Sequence, residues 1–282
     1  MKNYSVKELK SVANLIRQDI IRMIHRAGSG HPGGALGMAD IFTVLYFKIL
    51  KHNHEKPNWE QRDRLILSNG HICPVLYATL AHRGYFALNI LKKLRRINSP
   101  LQGHPHNQTL AGIENSSGPL GQGISIAVGM ALAAQLNKQS AKSEVGENHI
   151  FCITSDGEHN EGQVWEAIMT ANKYKLGNLI NIVDYNGIQI DGKTKDIMPL
   201  GNLKNKYLSF GWKVLEVNGH NYTQIINTLN KAKEYRQSPV VIIAKTIPGK
   251  NVKFMENKFS WHGKAPNDKE AETALEQLKN LC

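Results

Sequence analysis

Apolar residues return every three or four positions along the first part of the chain. Between Val6 and Ala27 this spacing is regular, and it stops at Gly28, which predicts one long helix. A second apolar helix is predicted from Met38 to Leu50. Beyond these two helices, the apolar positions fall mostly into shorter runs separated by polar segments.

Short apolar strands then alternate with helices. An Ala-rich run ending at Leu136 predicts a buried helix. The alternation is typical of a parallel sheet with helices on both faces, so we expect an α/β fold. No repeat, low-complexity tract or linker divides the sequence, and we expect one domain over residues 1–282. The predicted strands are 64–68, 149–154, 179–184, 213–217 and 239–245, and the further predicted helices are 87–97, 162–175 and 222–235.

The composition excludes several classes of protein. With 282 residues, 41% of them hydrophobic, the chain can bury a core and is not disordered. No apolar run reaches the roughly 18 residues that span a bilayer, and the charged, periodic opening does not resemble a secretory signal. The three cysteines, Cys73, Cys152 and Cys282, are too few for a disulfide framework. We therefore expect a soluble protein of the reducing cytoplasm with no membrane partner.

The formal charge of +12 is distributed unevenly. Residues 1–100 carry a net +10, residues 101–190 a net −4 and residues 191–282 a net +6. A basic protein can bind nucleic acid, a phosphorylated small molecule or an acidic partner, and charge alone does not choose among them. The basic cluster at 92–96 has no interleaved aromatic residues for base stacking, which favours a solvated helix face over a nucleic-acid site.

Two glycine patterns match nucleotide-binding motifs without the structural context that those motifs need. Gly28-x-Gly30-x-x-Gly33 follows a predicted helix instead of a strand and contains Pro32, so we reject a dinucleotide site. Residues 187–194 match a phosphate-binding loop after a strand, but no helical pattern follows Lys193 and Thr194. A chance match is favoured there, and ATP binding is kept as an alternative from another class.

Polar residues follow two consecutive strands of the predicted sheet. Asp156 comes directly after one strand and Asn186 after the next. Ligands of open α/β sheets bind at this carboxyl edge, and a carboxylate with an amide oxygen suits Mg²⁺. Gly157 leaves room for a phosphate to approach backbone N–H groups. Either polar residue alone would be an ordinary strand end, whereas the pair indicates a metal and phosphate site.

Four histidines lie in loops marked by glycine or proline. They are His31, His71, His104 and His262. Loops at one edge of a sheet can converge, and imidazoles there can bind phosphate oxygens or move protons near neutral pH. Each of them alone would more often be a surface histidine, but four in such loops favour a functional cluster.

These segments together resemble the thiamine-diphosphate-dependent transketolases. The resemblance rests on SGHPGGALGMADI, DRLILSNGH, LQGHP, GPLGQGISIAVGMA, SDGEHNEGQVWEA, DYNGIQIDG, GWKVLEVNGH, AKTIPG and WHGKAP, in the family's order and approximate spacing. It implies the diphosphate-binding domain of a thiamine-diphosphate fold. It also implies transfer of a two-carbon glycolaldehyde unit from a ketose phosphate to an aldose phosphate.

The resemblance also implies roles for individual residues. Mg²⁺, or alternatively Ca²⁺, would be held by Asp156, Asn186 and the carbonyl of Ile188. The catalytic residues would be His31, His104 and His262, and Glu161 would join a carboxylate network between two cofactor sites. The residues implied to contact or line the cofactor site are His71, Gly118, Pro119, Leu120, Gly157, Glu161, Ile190, Lys245 and His262.

Transketolases continue into pyrimidine-binding and C-terminal domains that this sequence lacks. The resemblance therefore implies the N-terminal subunit of a split enzyme of the pentose phosphate pathway. Its partner would be a C-terminal subunit, in a dimer of heterodimers, that supplies the glutamate activating the cofactor. Ser155 and Asn251 stand where the family usually has glycine. A split thiamine-diphosphate enzyme that acts on a modified sugar is the nearest alternative. The least favoured alternative is a non-catalytic protein that binds nucleic acid or serves as a scaffold.

Overall fold

The computed structural model describes residues 4–139 and 148–281, so Cys282 lies outside the described residues. Its strands, in chain order, are β1 (Arg64–Leu67), β2 (Ile150–Ser155), β3 (Leu179–Tyr185), β4 (Ile188–Gln189), β5 (Gly192–Lys193), β6 (Lys213–Asn218) and β7 (Val240–Lys245). A five-stranded sheet has the order β1-β2-β3-β7-β6, and every neighbouring pair in it is parallel. β4 and β5 form a separate antiparallel hairpin.

Helices cover both faces of this sheet, which confirms the predicted α/β class. Their bounds are α1 (Val6–Ala27), α2 (Pro32–Val44), α3 (Cys73–His82), α4 (Gln122–Gln139), α5 (Gly162–Lys173), α6 (Thr194–Ile197), α7 (Leu203–Ser209), α8 (Tyr222–Glu234) and α9 (Asp268–Lys279). Because side chains alternate along a strand, Leu65 and Leu67 of β1 join one hydrophobic cluster and Ile66 joins the other. No helix among the described residues is long and apolar enough to cross a membrane.

The first helix has the bounds that its apolar spacing predicts. Ser5 and Glu8 form a capping box at its start, and Gly28 ends it with a φ of 68°. All five predicted strands are present in the sheet within one or two residues of their predicted bounds. The strand alternation therefore predicts the architecture that positions the site.

Several helices differ from the prediction. α2 begins at Pro32, six residues before the predicted start, and a π-helical turn follows it over Leu45–Ile49. The predicted helix 87–97 is a short 3₁₀ segment, Leu88–Lys93. The predicted buried helix, α4, is only partly buried, since the Leu136 side chain is 55% exposed. α3, α7 and α9 were not predicted.

Candidate active site

Asp156 lies at the carboxyl end of β2, where the sheet register brings it close to β3. Ser155 pairs with Asp184 in that register. Asp156 is buried, and its carboxylate accepts hydrogen bonds from the backbone N–H groups of Gly157 at 2.9 Å and Gly187 at 2.7 Å. The loop after β3 is therefore held against the loop after β2.

Asn186 is fixed from both sides of its amide group. Its Nδ2 donates to Asp184 Oδ2 at 2.8 Å, and its Oδ1 accepts from the backbone N–H of Ile188 at 3.0 Å. The second Asp184 oxygen accepts from the hydroxyl of Thr246, just beyond β7. Asp184 and Thr246 were not among the predicted site residues, although Asp184 lies in the same polar segment as Asn186.

Two buried carboxyl groups thus lie at one edge of the sheet without a cationic partner. Neither forms an ion pair with lysine or arginine among the described residues. Burial, followed by the nearby Asp184 charge, raises the pKa of Asp156 to about 7, and burial raises the pKa of Asp184 to about 6. A cation here would favour their ionised forms.

The donors present fit a hard cation bound through oxygen atoms. No group of three or more His, Cys, Asp or Glu side chains among the described residues is arranged to hold a metal. The carboxylate of Asp156, the amide oxygen of Asn186 and the backbone carbonyl of Ile188 are oxygen ligands of the kind that Mg²⁺ takes, the remainder coming from phosphate and water. The site is therefore compatible with a metal bound together with a phosphorylated ligand.

Three of the four predicted histidines meet in one cluster. The ring centroids of His31 and His71 are 5.2 Å apart, those of His31 and His262 5.6 Å, and those of His71 and His262 5.1 Å. His104 is more exposed, and its ring lies beside Gly118. The loops after α1, β1 and β7 converge here, as the sequence predicted.

The surroundings of these imidazoles favour the neutral form. Burial, with the neighbouring His262, lowers the pKa of His31 to about 4, and burial also lowers the pKa of His71, of His262 and, together with Arg95, of His104. A neutral imidazole has one N–H donor and one acceptor. The cluster can therefore bind hydroxyl groups and accept a proton at an unprotonated ring nitrogen.

The histidine cluster and the carboxylate pair adjoin each other through α2. A Cβ atom on Gly34 would lie 2.8 Å from Ile72 Cγ2, beside His71, and 3.7 Å from Asp184 Oδ2. The start of α2 thus lies between Ile72, the neighbour of His71, and the carboxylate of Asp184.

Three other predicted residues are exposed and make no described contact with this centre. Ile190 is 71% exposed at the turn between β4 and β5. Lys245 is exposed at the end of β7. Glu161 is exposed and lies beside Gly121, which follows the predicted Gly118, Pro119 and Leu120 segment.

Two buried polar residues at this edge were not predicted from the sequence. Glu158 accepts hydrogen bonds from Ser68, Gly121 and Ser155, which come from three different segments. Asn69 is fully buried, and neither side-chain amide atom has a hydrogen-bond partner. Both lie in segments singled out for other residues, but their partners or their burial depend on the fold and leave no local signal.

The phosphate-loop motif does not form a phosphate cradle. Its residues form the β4–β5 hairpin, in which the N–H of Thr194 donates to Gly187 O at 3.0 Å and the N–H of Gly187 is used by Asp156. A single helical turn does begin at Thr194, which the sequence pattern did not predict, but α6 has only four residues. Gly28-x-Gly30-x-x-Gly33 follows α1 and not a strand, in agreement with its rejection as a dinucleotide site.

Comparison with known proteins agrees with this geometry. Residues 8–279 match the family model described as transketolase, thiamine diphosphate binding domain. The chain belongs to the transketolase family. It is 40% identical to the 6-deoxy-6-sulfo-D-fructose transketolase subunit SqwG of Clostridium sp. (strain MSTE9), over 96% of each chain. It is 36% identical to one of the proteins named as apulose-4-phosphate transketolase subunits, that of Phocaeicola vulgatus, covering 96% of this chain and 93% of that protein.

A solved transketolase has the same fold over a longer chain. The transketolase of Campylobacter jejuni superposes with a TM-score of 0.93 and 38% identity, over 98% of this chain and 43% of that one. Transketolase relatives thus include proteins of about this length that are named as subunits and single chains more than twice as long. The chain is accordingly a transferase of this family with a thiamine diphosphate-binding domain.

The two departures from the transketolase pattern are accommodated. Asn251 has a φ of 72°, and asparagine is among the few non-glycine residues that enter this region readily. Ser155 is buried at the end of β2, where its N–H donates to Glu158 and its carbonyl accepts from His159. The first departure keeps the backbone geometry that glycine would allow, and the second leaves the strand end intact.

Proposed function

We propose that this chain is the N-terminal subunit of a split transketolase. Together with a separate C-terminal subunit, it transfers a two-carbon glycolaldehyde unit from a ketose phosphate to an aldose phosphate. The observation that carries the proposal is the joining of two groups at one sheet edge: the oxygen donors around Asp156 and the cluster of His31, His71 and His262. The match to the thiamine diphosphate-binding family supports the cofactor.

In this proposal, residues of the sheet edge hold the cofactor's diphosphate through Mg²⁺. Asp156, Asn186 and the Ile188 carbonyl would bind the ion, and His71, Gly157 and the Gly118–Leu120 segment would contact the cofactor. When bound, thiamine diphosphate supplies the carbon nucleophile that allows the ketose carbon–carbon bond to break. Lys245 and Ile190 lie at the rim of the same site.

The histidines perform the proton transfers and hold the sugar. His31, His104 and His262 hydrogen-bond to substrate hydroxyls, and an unprotonated ring nitrogen takes a hydroxyl proton as the carbon–carbon bond breaks and returns it to the acceptor. Burial lowers the pKa of His31 and of His262, which favours the unprotonated nitrogen that this role needs.

A second chain completes the site in this proposal. Two relatives of nearly the same length are named as transketolase subunits, which supports a partner that carries the pyrimidine-binding and C-terminal domains. Exposed Glu161 and Ile190 would then face other chains, with Glu161 in the network that links two sites. We propose a dimer of heterodimers in the cytoplasm.

The sugar itself has two candidates. A phosphorylated ketose of the pentose phosphate pathway is the first. The second is a modified sugar, which the relatives' names support, since one is named for 6-deoxy-6-sulfo-D-fructose and another for apulose 4-phosphate. Both kinds of donor present ketose hydroxyl groups, which the histidine cluster would bind in either case.

The test is a donor screen with the reconstituted enzyme. The chain is mixed with its partner subunit, thiamine diphosphate and Mg²⁺, and two-carbon transfer to an aldose phosphate is measured with each donor. We expect turnover with at least one ketose that carries a phosphate or sulfonate. Absence of transfer with every donor, or transfer by this chain alone, contradicts the proposal.

A further inference from the structure

Glu158, two residues after Asp156, has a buried carboxylate that forms no ion pair among the described residues. Glu158 is 0% exposed. Its Oε1 accepts from the Ser68 hydroxyl at 2.5 Å and from the Gly121 N–H at 2.7 Å, and its Oε2 accepts from the Ser155 N–H at 3.2 Å. All three described partners are donors, so the geometry suits the ionised carboxylate.

Each donor belongs to a different segment of the sheet edge. Ser68 directly follows β1 and leads to His71, Gly121 directly follows the Gly118–Leu120 segment, and Ser155 directly precedes Asp156. The Ser68 hydroxyl also accepts from the N–H of Gly123 at 3.0 Å, which adds a second attachment for the start of α4. One carboxylate therefore joins the three segments that carry the proposed cofactor contacts.

The segment that contains Gly121 and Gly123 packs closely against its neighbours. Gly121 has a φ of 81°, and a Cβ atom there would lie 2.9 Å from Glu161 Cβ. A Cβ atom on Gly123 would lie 2.5 Å from Ser68 Cα. Only glycine allows this approach, which places the two backbone N–H groups within reach of Glu158 and Ser68.

We propose that Glu158 is a positioning residue that holds these three segments in the arrangement that binds thiamine diphosphate. It acts through its hydrogen bonds and not by contact with the cofactor. The inference rests on the proposed function for the identity of the ligand. The attachment of the three segments to one another is a property of the chain itself and can be measured without the ligand.

Glutamine has the shape of glutamate but cannot replace it here. An amide offers one acceptor oxygen, and its NH₂ group would face a donor at the other position. At least one of Ser68, Gly121 and Ser155 is then left without an acceptor, which is costly in a buried site. Glu158→Gln is therefore expected to release one or more segments while changing the side-chain volume little.

Asp63 provides a matched control at the opposite edge of the sheet. It is also buried, and it accepts from the N–H groups of Lys51 at 2.9 Å and His149 at 2.8 Å and from Lys233 Nζ at 3.2 Å. Asp63→Asn thus disturbs a carboxylate with three donors that lies away from the proposed site. A general loss of stability should affect both variants, whereas positioning should affect Glu158→Gln alone.

The experiment compares the full-length wild type, Glu158→Gln and Asp63→Asn, each with its partner subunit. Calorimetry measures the affinity for thiamine diphosphate in Mg²⁺, and amide hydrogen exchange of the chain without cofactor measures the Gly121 and Ser155 N–H groups, which both donate to Glu158. For Glu158→Gln we expect affinity to fall by about tenfold to a hundredfold and exchange to rise at least about tenfold at whichever of these two N–H groups faces the NH₂ side of the new amide. Asp63→Asn should change neither by more than about twofold.

Wild-type affinity and wild-type exchange in Glu158→Gln overturn the inference, and so does an equal loss of affinity in Asp63→Asn. If the wild type itself fails to bind thiamine diphosphate, the proposed function is wrong, while unchanged exchange at both Gly121 and Ser155 in Glu158→Gln separately rejects the attachment. If Glu158→Gln does not fold, Ser68→Ala replaces it, since it removes one bond to Glu158 and the acceptor for Gly123. Faster exchange at Gly121, whose N–H donates to Glu158 and not to Ser68, then supports the inference, and unchanged exchange there overturns it.

Discussion

The two ends of the central sheet each carry a buried carboxylate that accepts three hydrogen bonds, but their electrostatic settings are opposite. At the amino end, Asp63 faces Lys233, and despite burial its contacts with His149 and Lys233 lower its pKa to about 2. At the carboxyl end, Glu158 and Asp156 have no described lysine or arginine partner, and burial raises the pKa of both. At the amino end, Lys233 of the same chain balances the charge of Asp63. At the carboxyl end, a bound cation would balance the charge of the carboxylates.

Buried polar atoms without a hydrogen-bond partner among the described residues are also more numerous at the carboxyl end of the sheet. At the carboxyl end, His31 Nδ1, Ser117 Oγ, Gln189 Nε2 and both amide atoms of Asn69 are buried without a hydrogen-bond partner. At the amino end, the described residues contain two such atoms, the amide oxygens of Asn148 and Asn178, and each of these residues donates through Nδ2. Because such atoms are costly to bury, their concentration at one edge marks the surface adapted to a ligand.

The largest expected effect comes from removing the carboxylate at the site itself. Asp156→Ala deletes the proposed metal ligand and leaves the N–H groups of Gly157 and Gly187 without their acceptor. Affinity for thiamine diphosphate in Mg²⁺ should fall at least about a hundredfold by calorimetry. Near-normal affinity in Asp156→Ala would mean that the carboxyl edge does not hold the cofactor.

The second-largest expected effect is a loss of turnover that is not accompanied by an equal loss of cofactor affinity. His262→Ala removes one imidazole of the cluster, so the turnover number of the reconstituted enzyme should fall about a hundredfold, the lower range for loss of a general acid–base group. Cofactor affinity should change much less than turnover. His106, exposed two residues beyond His104, provides the control. Equal turnover losses in His262→Ala and His106→Ala would contradict a catalytic role that is specific to the histidine cluster.

The amino end should affect stability without affecting binding. Asp63 has a folded-state pKa of about 2, below the value of about 4 for an unfolded chain, so its contribution is present above pH 4 and disappears as the pH falls toward 2. Asp63→Asn should lower the free energy of unfolding by about 2 kcal/mol at neutral pH. Denaturant titrations of both proteins from pH 7 to pH 2 should converge, and a constant difference would contradict this assignment.

The smallest expected effect concerns the motif that resembles a phosphate-binding loop. Lys193 is exposed in the β4–β5 hairpin. Lys193→Ala should therefore change the affinity for thiamine diphosphate by less than about twofold, and calorimetry should detect no Mg²⁺–ATP binding by the wild type. ATP binding that Lys193→Ala abolishes would restore the nucleotide alternative.

The sequence predicts the sheet and the first helix because their signals are local. Alternation of apolar strands and helices gives the α/β class, and Gly28 marks the end of α1. The start of α2 was misplaced because its first turns, at Pro32, Gly33 and Gly34, have the composition of a loop. Within α2, glycine at these two positions allows close packing, since a Cβ atom on Gly33 would lie 3.1 Å from the Trp261 carbonyl oxygen and one on Gly34 2.8 Å from Ile72 Cγ2.

Within the site, the residues that the sequence predicts from its own pattern are those that directly follow strands. Asp156 and Asn186 follow consecutive strands, and parallel pairing brings such positions together. Glu158 could not be predicted in the same way, because its partners Ser68 and Gly121 are 90 and 37 residues away along the chain. A carboxylate that joins distant segments has no periodicity or motif of its own.

The central claim is that the carboxyl edge forms one half of an active site and that a second chain supplies the rest. The most direct measurement is the rate of two-carbon transfer as the partner subunit is titrated into a fixed amount of this chain with thiamine diphosphate and Mg²⁺. We predict no turnover without the partner and a rise that saturates near equal amounts of the two chains. Turnover at zero partner, or no turnover at any ratio with all the donors described, would contradict it.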